Sequence, residues 1–416
     1  MYTIILINVD ELWLKGKNRP MYFKTIKDHI CELLETYHKN PFTCFNEDQR
    51  LVAESEIPFE EETILALLKV PGIHSILPAR QVSLSLEEAT QSVIEELGQL
   101  ESLSSVRTFK VETRRSYKGF PMTSMEVSSA IGEKVIDAFP HLKVAVKGAE
   151  LIVEIRVMKS NIYVATRRLM AVGGLPVGTA GHVITLISGG FDSPVASYMM
   201  SKRGCRQTFI FFYAYPFVGE EVKDKILKIV RVLGQYQRFS RLVVVSFGEV
   251  QDLISKNCDM DYRTLLFRKA MIRCSTLLAK RVKAEALVTG DALGQVSSQT
   301  IWNISALDSA TTLPIFRPLI GFNKIEILEL SKKIETHDIS VIPHDDACSL
   351  FAPKHPVIRP HLSYLEEFEK VLPLDEHLYN CLNQAEVYNI SLDGTVSSNL
   401  PTNGTNYHEG DSISMH

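Results

Sequence analysis

The chain has 416 residues, 45% of them hydrophobic and 23% charged, with a net charge of −4. This is an ordinary globular composition, long enough for two or three domains with their own cores. It excludes a membrane-spanning helix, since no apolar run approaches the roughly 20 residues needed, and its seven scattered cysteines, without one Cys-x-x-Cys pair, point to a reducing cytoplasm rather than a disulfide framework or a structural zinc site.

Residues 1–7 lack a basic leader and a small-residue cleavage site and read as a strand, not a signal peptide. Residues 21–37 put Phe23, Ile26, Ile30, Leu33, Leu34 and Tyr37 on one side of an amphipathic helix, with Asn18 as its expected cap and Pro20 near its first turn. Strands are expected at 42–45 and 51–54, a helix at 60–69 broken by Pro71-Gly72, and a strand at 73–77. That β-α-β-β-α-β order indicates a ferredoxin-like unit over residues 1–80. A second α+β unit spans 81–170. Ser85 and Glu88 form a capping box for a helix ending near Leu100, followed by a strand at 108–114, a helix at 124–139, and strands at 150–158 and 161–166 turning at Lys159-Ser160.

Charge is unevenly spread through these units. Residues 47–104 carry 12 acids and 3 bases, and residues 105–170 carry 12 bases and 6 acids. The pattern reads either as a basic face or as two solvated surfaces that neutralise each other. Within it, Arg114, Arg115 and Lys118 interleave with Tyr117 and Phe120. Such a mixture grips phosphates and stacks on bases, or is simply a solvated loop.

Residues 171–181 are a glycine-rich linker. Beyond it, strands at 182–187, 206–213, 242–246 and 286–289 alternate with helices near 220–233 and 262–282. The alternation predicts a doubly wound parallel sheet over residues 182–382, with its ligand beyond the carboxyl ends of the strands. Residues 383–416 are rich in Ser, Asn, Thr and Gly and read as a disordered polar tail.

The first of these strands runs into Ser188-Gly189-Gly190-Phe191-Asp192-Ser193-Pro194, and a helix follows, ending at Arg203-Gly204. Strand, glycine turn and helix together make an anion cradle. Glycine lets bare N–H groups approach a ligand, and the helix adds the positive end of its dipole. The Gly-Lys-Ser/Thr ending of a Walker A loop and the Gly-x-Gly-x-x-Gly dinucleotide fingerprint are both absent. The form Ser-Gly-Gly-x-Asp-Ser instead resembles the PP-loop of ATP pyrophosphatases, which cut ATP between its α and β phosphates and adenylate an oxygen of the substrate.

Further stretches extend the resemblance: Lys15-Gly16-Lys17-Asn18-Arg19, Gly174-Leu175-Pro176-Val177-Gly178, Gly290 to Thr300, Arg317 to Gly321, and Phe351 to Pro356. Over about residues 1–370 the chain resembles the tRNA 4-thiouridine synthetase family, also called tRNA sulfurtransferases, in its short form without a rhodanese domain. The resemblance implies an α/β protein in which ferredoxin-like and THUMP α+β domains precede a PP-loop ATP pyrophosphatase domain. It implies ATP and Mg²⁺ as cofactors, adenylation of O4 of uridine 8 in tRNA, and its replacement by persulfide sulfur from a cysteine desulfurase. Thiamine sulfur carrier protein as a second acceptor and a homodimer are implied as well.

By the same resemblance ATP contacts fall on Leu186, Ile187, Phe211, Phe212, Arg268, Gly290 and Gln299; the chemistry adds Ser188, Gly189, Gly190 and Ser193 as donors to the phosphates, Asp192 to orient the metal or the triphosphate, and Lys324, which reads equally as a phosphate-neutralising cation or as a lysine without that role. Phe211 stands where the family leads one to expect His. Core packing explains Leu186, Ile187 and Phe212 equally well, and Arg268 reads alternatively as a helix-surface charge. Lys15, Lys17 and Arg19, with Arg114, Arg115 and Lys118, are the expected tRNA contacts.

The sulfur step maps to Pro343-His344-Asp345-Asp346-Ala347-Cys348-Ser349. Relatives often carry Cys-Cys there; here the first position is Ala347, leaving Cys348 as persulfide acceptor or resolving thiol, or as a small core residue. His344 or Lys354 is placed to lower its pKa. Cys258, Cys274 and Cys348 are the trio from which an iron–sulfur cluster would be built, without the usual close spacing. Competing readings are a diverged tRNA-binding protein, which the alanine at 347 mildly favours, and a PP-loop AMP-forming ligase acting on a small molecule or a sulfur carrier protein.

Overall fold

The structure, a computed structural model, describes residues 2–11, 16–47, 50–343 and 356–399. The chain divides into two compact units, Met1–Leu175 and Pro176–His416.

The first unit runs β1 (Tyr2–Val9), α1 (Arg19–Tyr37), β2 (Phe42–Glu47), β3 (Arg50–Phe59), α2 (Glu61–Leu68), β4 (Ile73–Val82), α3 (Leu86–Gly98), β5 (Thr108–Arg115), α4 (Ser124–Ala138), β6 (Lys143–Val144), β7 (Leu151–Val157), β8 (Ile162–Ala165) and β9 (Leu169–Met170). The expected β-α-β-β-α-β order is present. All strands belong to one sheet of order β2-β3-β1-β4-β8-β7-β5-β6, with β9 on β4. The ten-residue β4 makes this possible: Ile73 to Ala79 pair with β1, and Arg80 to Val82 pair with β8. Period-2 alternation then sorts the side chains. Ile5 and Ile7 face α1 and α2 in one core, and Val153, Ile155 and Val157 face α3 and α4 in a second. Ile4, Leu6, Val52, Leu77 and Ala79 on the other face meet Met158, Tyr163 and Ala165.

Two cap predictions change. Asn18 makes no capping bond; its backbone is already helical, so its side chain is badly placed to serve the first amides. Ser85 accepts from the Glu88 amide at 3.2 Å, but the Glu88 carboxylate reaches back to the Ser83 amide (3.1 Å), which closes only half of a box. A full capping box, unanticipated, opens α4 at Thr123 and Glu126.

The second unit runs β10 (His182–Leu186), α5 (Asp192–Lys202), β11 (Arg206–Tyr213), α6 (Glu220–Gly234), β12 (Ser240–Ser246), α7 (Gly248–Asn257), α8 (Arg263–Val282), β13 (Ala286–Val288), α9 (Ile301–Asp308), β14 (Ile315–Phe316), α10 (Lys324–Lys333), α11 (His337–Val341), α12 (Leu362–Val371), α13 (Leu374–Asn383), β15 (Glu386–Ile390) and β16 (Val396–Asn399). The sheet order is β14-β13-β10-β11-β12-β15-β16, parallel from β14 to β12. Ile184, Ile210, Val243 and Leu287 bury against Leu266, Ala270, Cys274 and Leu278 of α8 on one face. α5 and α6 cover the other, α6 through Ile226, Ile229, Val230 and Leu233. β10 continues to β11 on one side, and the chain returns to β13 on the other. The crevice between the carboxyl ends of β10 and β13 is therefore a topological switch point, where open α/β sheets bind ligands.

The polar-tail expectation is corrected for residues 386–399. β15 pairs antiparallel with β12, and β16 with β15. Val387 and Ile390 are buried, and an Asp393-Gly394 turn with Gly394 at φ +77° joins the strands. An antiparallel edge needs only alternate apolar residues, so its average composition stays polar.

Candidate functional site

β10 ends at Leu186, and Ile187 stays pinned by a hydrogen bond from its backbone N–H to the Ile210 carbonyl at 3.0 Å. The chain then turns through Ser188 to Phe191 and enters α5 at Asp192. Ser193 braces this turn. Its buried hydroxyl accepts the Ser188 amide at 2.8 Å and lies 3.0 Å from the Ser188 hydroxyl. The Ser188 amide is thus spent on the turn itself. Among the described residues, no backbone acceptor occupies the amides of Gly189, Gly190, Phe191 or Asp192. Orphan amides at the start of an eleven-residue helix form an anion site, to which the helix dipole adds.

Gly290, just past β13, abuts this helix start. A methyl group on it would lie 2.7 Å from the Ser193 nitrogen and 2.8 Å from the Asp192 carbonyl carbon. Only glycine permits this approach, and it closes the two sides of the switch point onto each other. Asp192 faces the same crevice. Its Oδ1 pairs with the Lys324 ammonium at 3.2 Å, and its Oδ2 accepts from Gln295 at 3.0 Å. The Lys324 ammonium also stands 5.1 Å above the Phe191 ring. Lys324 is the first residue of α10, whose Asn323–Glu326 capping box fixes the start of the helix. A lysine there works against its own helix dipole, which suits a cation aimed at an external anion.

Asp291 forms a second centre. It is buried, ion-paired to Arg268 and, at 3.4 Å, to Arg317, and it accepts the Thr289 hydroxyl at 2.8 Å and the Gln299 amide at 3.5 Å. Burial alone would raise its pKa; the Arg268 charge, the Thr289 hydroxyl and the Arg317 charge overcome that and hold the carboxyl below its ordinary value. Arg268 also donates to the Ser298 carbonyl at 3.1 Å. Arg317 also pairs with Asp308 at 2.7 Å. Arg268 is accordingly no helix-surface charge. Asp291, Arg317 and Gln295 were not singled out in the sequence, although each lies in a stretch that carried the resemblance. Each depends on at least one partner 23 or more residues away.

Other expected contacts divide. The side chain of Phe212 belongs to the core, edge-on to Phe247 at 4.8 Å, so only its backbone is available at the strand end. Phe211 is on the opposite face, 7% exposed and 6.3 Å from the Tyr213 ring. Ile187 is buried, and Leu186 packs against the core from the strand end. Gln299 reaches the crevice through Asp291. In the first unit Arg114 is 58% exposed and pairs with Glu112 at 2.9 Å; Lys118 and Lys17 are exposed. Arg115 instead donates to the carbonyls of Phe120 and Met122, which makes it the brace of its own loop. Arg19 stands 5.3 Å over Phe23.

Lys15, His344, Ala347, Cys348 and Lys354 lie outside the described residues. Cys258 is half-buried, with burial pushing its thiol up to about 11, and Cys274 is fully buried beside Cys381, its pKa also raised by burial. Neither presents a ready thiolate. Among the described residues no group of three or more His, Cys, Asp or Glu is placed to hold a metal ion, and no helix is long and apolar enough to cross a membrane. A lone carboxylate such as Asp192 beside a phosphate cradle does suit Mg²⁺, which takes few protein ligands and completes its shell with phosphate oxygens and water.

Comparison with known proteins agrees with this layout. A family model described as thiamine biosynthesis protein (ThiI) matches residues 178–374, a THUMP domain model matches 85–167, and a ThiI ferredoxin-like domain model matches 4–76. A probable tRNA sulfurtransferase of Acetivibrio thermocellus is 34% identical over 94% of the chain and 100% of its own length. One from Brevibacillus brevis is 34% identical over 94% and 97%. Among solved structures, a 4-thiouridine synthetase in complex with RNA and bound ATP superposes with a TM-score of 0.84 at 31% identity, covering 94% of this chain and all of that one. PH1313 from Pyrococcus horikoshii shares the fold, with a TM-score of 0.63 at 21% identity over 80% of this chain and all of that one.

Proposed function

The chain belongs to the ThiI family of tRNA sulfurtransferases, and from that premise we propose that its glycine turn activates uridine 8 of tRNA with ATP so that sulfur can replace O4. ATP-dependent thiolation of tRNA is the activity that the relatives and the ATP- and RNA-bound neighbour support. The observation that carries the proposed chemistry is the row of open amides at the start of α5, with Asp192 and Lys324 at its rim.

A uridine carbonyl oxygen is a poor leaving group. Attack of O4 on the α phosphorus of ATP makes it an adenylate ester and releases pyrophosphate. The open amides hold the departing phosphates, Lys324 exchanges its bond to Asp192 for a phosphate oxygen, and Arg268 is kept in reach by Asp291. When bound, Mg²⁺ neutralises developing charge on the phosphates. Asp192, freed of Lys324, is the residue that would hold it. The terminal sulfur of a persulfide on Cys348, loaded by a cysteine desulfurase, then bonds to C4 as AMP leaves. A second thiol cleaves the remaining S–S bond.

The binding-module alternative gives no reason for the braced turn and the Asp192–Lys324 pair. A small-molecule ligase gives none for a 175-residue unit that contains the THUMP match and falls within the stretch aligned with tRNA sulfurtransferases. The description of the matched family model, thiamine biosynthesis protein, accords with a second role in thiamine synthesis, for which a sulfur carrier protein would be the acceptor.

The test is 4-thiouridine formation on unmodified tRNA with ATP, Mg²⁺, cysteine and a desulfurase, read by nucleoside mass spectrometry. Wild type should thiolate. Cys348→Ser should fail with the desulfurase yet work with sulfide. Asp192→Ala should fail with both donors while still binding tRNA. Wild-type release of AMP without thiouridine would leave adenylation standing and overturn the sulfur step.

A further inference from the structure

The carbonyl of Gly190 is not free. It accepts the Ser340 hydroxyl of α11 at 3.1 Å, and Ser340 is 6% exposed. Ser340 is held in turn by a lysine from another helix. The ammonium of Lys225, on α6 and 3% exposed, donates to the carbonyls of Ser340 (2.9 Å) and Ile342 (2.7 Å) at the end of α11. The His337 ring, at the start of α11, lies 5.5 Å from that of Phe191. A five-residue helix is thereby fastened to the glycine turn at two points and locked from behind by a buried charge.

Burying an ammonium is costly unless it is satisfied, so an arrangement that spends one on a short helix invites the question of what that helix orients. Peptide planarity answers it. The Gly190–Phe191 bond is trans, since the cis bond among the described residues is Tyr215–Pro216. A trans peptide points its C=O and its N–H in opposite directions. A carbonyl bound on the α11 side leaves the Phe191 N–H directed away from α11, and among the described residues no backbone acceptor occupies that N–H. Were the peptide to flip, a carbonyl dipole would face the bound phosphate where a donor should be.

We propose that Ser340, held by Lys225, is a positioning residue for phosphate binding: it keeps the Gly190–Phe191 peptide turned so that its N–H, not its carbonyl, faces the phosphates of ATP. The proposal rests on reading the glycine turn as the ATP cradle. The role is orientational, because the Ser340 hydroxyl is spent on the Gly190 carbonyl and the Lys225 ammonium on the carbonyls of Ser340 and Ile342; both act through the peptide.

The experiment compares calorimetric binding of ATP with that of adenosine, which lacks the phosphates. It uses the full chain as wild type, Ser340→Ala, Ser340→Thr and Lys225→Met. Ser340→Ala should weaken ATP about tenfold, the scale of one hydrogen bond supporting a charged ligand, and leave adenosine unchanged. Ser340→Thr, which keeps the hydroxyl, should restore ATP binding. Lys225→Met should shift ATP in the same direction as Ser340→Ala, again sparing adenosine. Equal loss of ATP and adenosine would mean a collapsed site and overturn the proposal, as would unchanged ATP binding in Ser340→Ala or no recovery in Ser340→Thr. If wild type gains nothing from the phosphates, it is the cradle reading itself that fails.

Discussion

Gly290 has no room for a single methyl group. A Cβ there would sit within 2.8 Å of backbone atoms at the start of α5, which cannot yield as a flexible side chain would. Gly290→Ala should therefore push the helix start away from β13, at a cost of about 1–3 kcal/mol in stability. Its larger effect should be on the nucleotide: ATP affinity should fall at least about tenfold because the amides of Gly189 to Asp192 lose their common aim. Thermal melting and ATP titration of the same variant check both parts. A stable variant that binds ATP normally would show that the close approach is incidental. Asp291→Asn tests the neighbouring centre. The substitution leaves Arg268 and Arg317 without their shared counter-charge in a buried setting, for an expected loss of about 3–5 kcal/mol in chemical denaturation. The two residues differ in how openly the sequence announces them. The glycine turn is local, six consecutive positions behind a strand, and can be read directly. The Asp291 centre assembles arginines from α8 and from the segment after β14, so no window of sequence contains it.

At the scale of elements, the parallel strands β10 to β13 and the long helices were legible because continuous apolar runs and 3.6-residue periodicity survive averaging, whereas the two-residue parallel strand β14 was too short to show. β15 and β16 were not legible either. The buried Val387 and Ile390 of β15 are diluted by Tyr388, Asn389 and the serines of β16, and β12, on which β15 pairs, lies about 145 residues earlier. The first strand of the parallel sheet carries a titratable group that composition cannot rank. His182 is buried at the start of β10, 2.9 Å from the Thr208 hydroxyl and 3.1 Å from Arg206. Burial, reinforced by the Arg206 charge, pushes its pKa down to about 4. The folded protein thus refuses a proton that the unfolded chain accepts below about pH 6.5. The unfolded state binds more protons throughout that window, so stability falls as pH drops from about 6.5 towards 4, by up to about 3 kcal/mol, and then levels off for this group. Urea denaturation from pH 7 to 4.5 should show the loss, and His182→Gln, which cannot titrate, should reduce the slope by close to one proton. Identical slopes would assign the acid sensitivity elsewhere.

For the molecule as a whole, a net charge of −4 is a poor guide to an RNA partner, because what an RNA meets is local. The bases of residues 105–170 do not all contribute. Arg156 is buried against Glu154, Arg168 pairs with the same carboxylate, and Arg167 pairs with Glu61 at 2.5 Å. Arg115 is occupied by the carbonyls of its own loop. Arg114, near the end of β5, stays 58% exposed even while paired with Glu112, and Lys118 is exposed on the loop that follows. A sequence count treats all of these as equivalent; burial and pairing divide them into structural cations and cations available to phosphate. The division predicts different phenotypes for neighbours in the chain. Arg114→Glu with Lys118→Glu should weaken tRNA binding and flatten the dependence of log affinity on log salt by about 1 to 2 units, as expected for two lost phosphate contacts, with melting temperature and ATP affinity unchanged. Arg115→Ala should instead lower thermal stability and loosen the loop. It should weaken tRNA binding while leaving the salt slope nearly intact, because the number of phosphates neutralised would not change. Filter binding across a salt series, beside melting curves, separates the two. Should Arg115→Ala flatten the slope as much as the double variant does, its loop-bracing contacts must give way to RNA, and the basic loop would have to be redrawn with Arg115 as a direct contact.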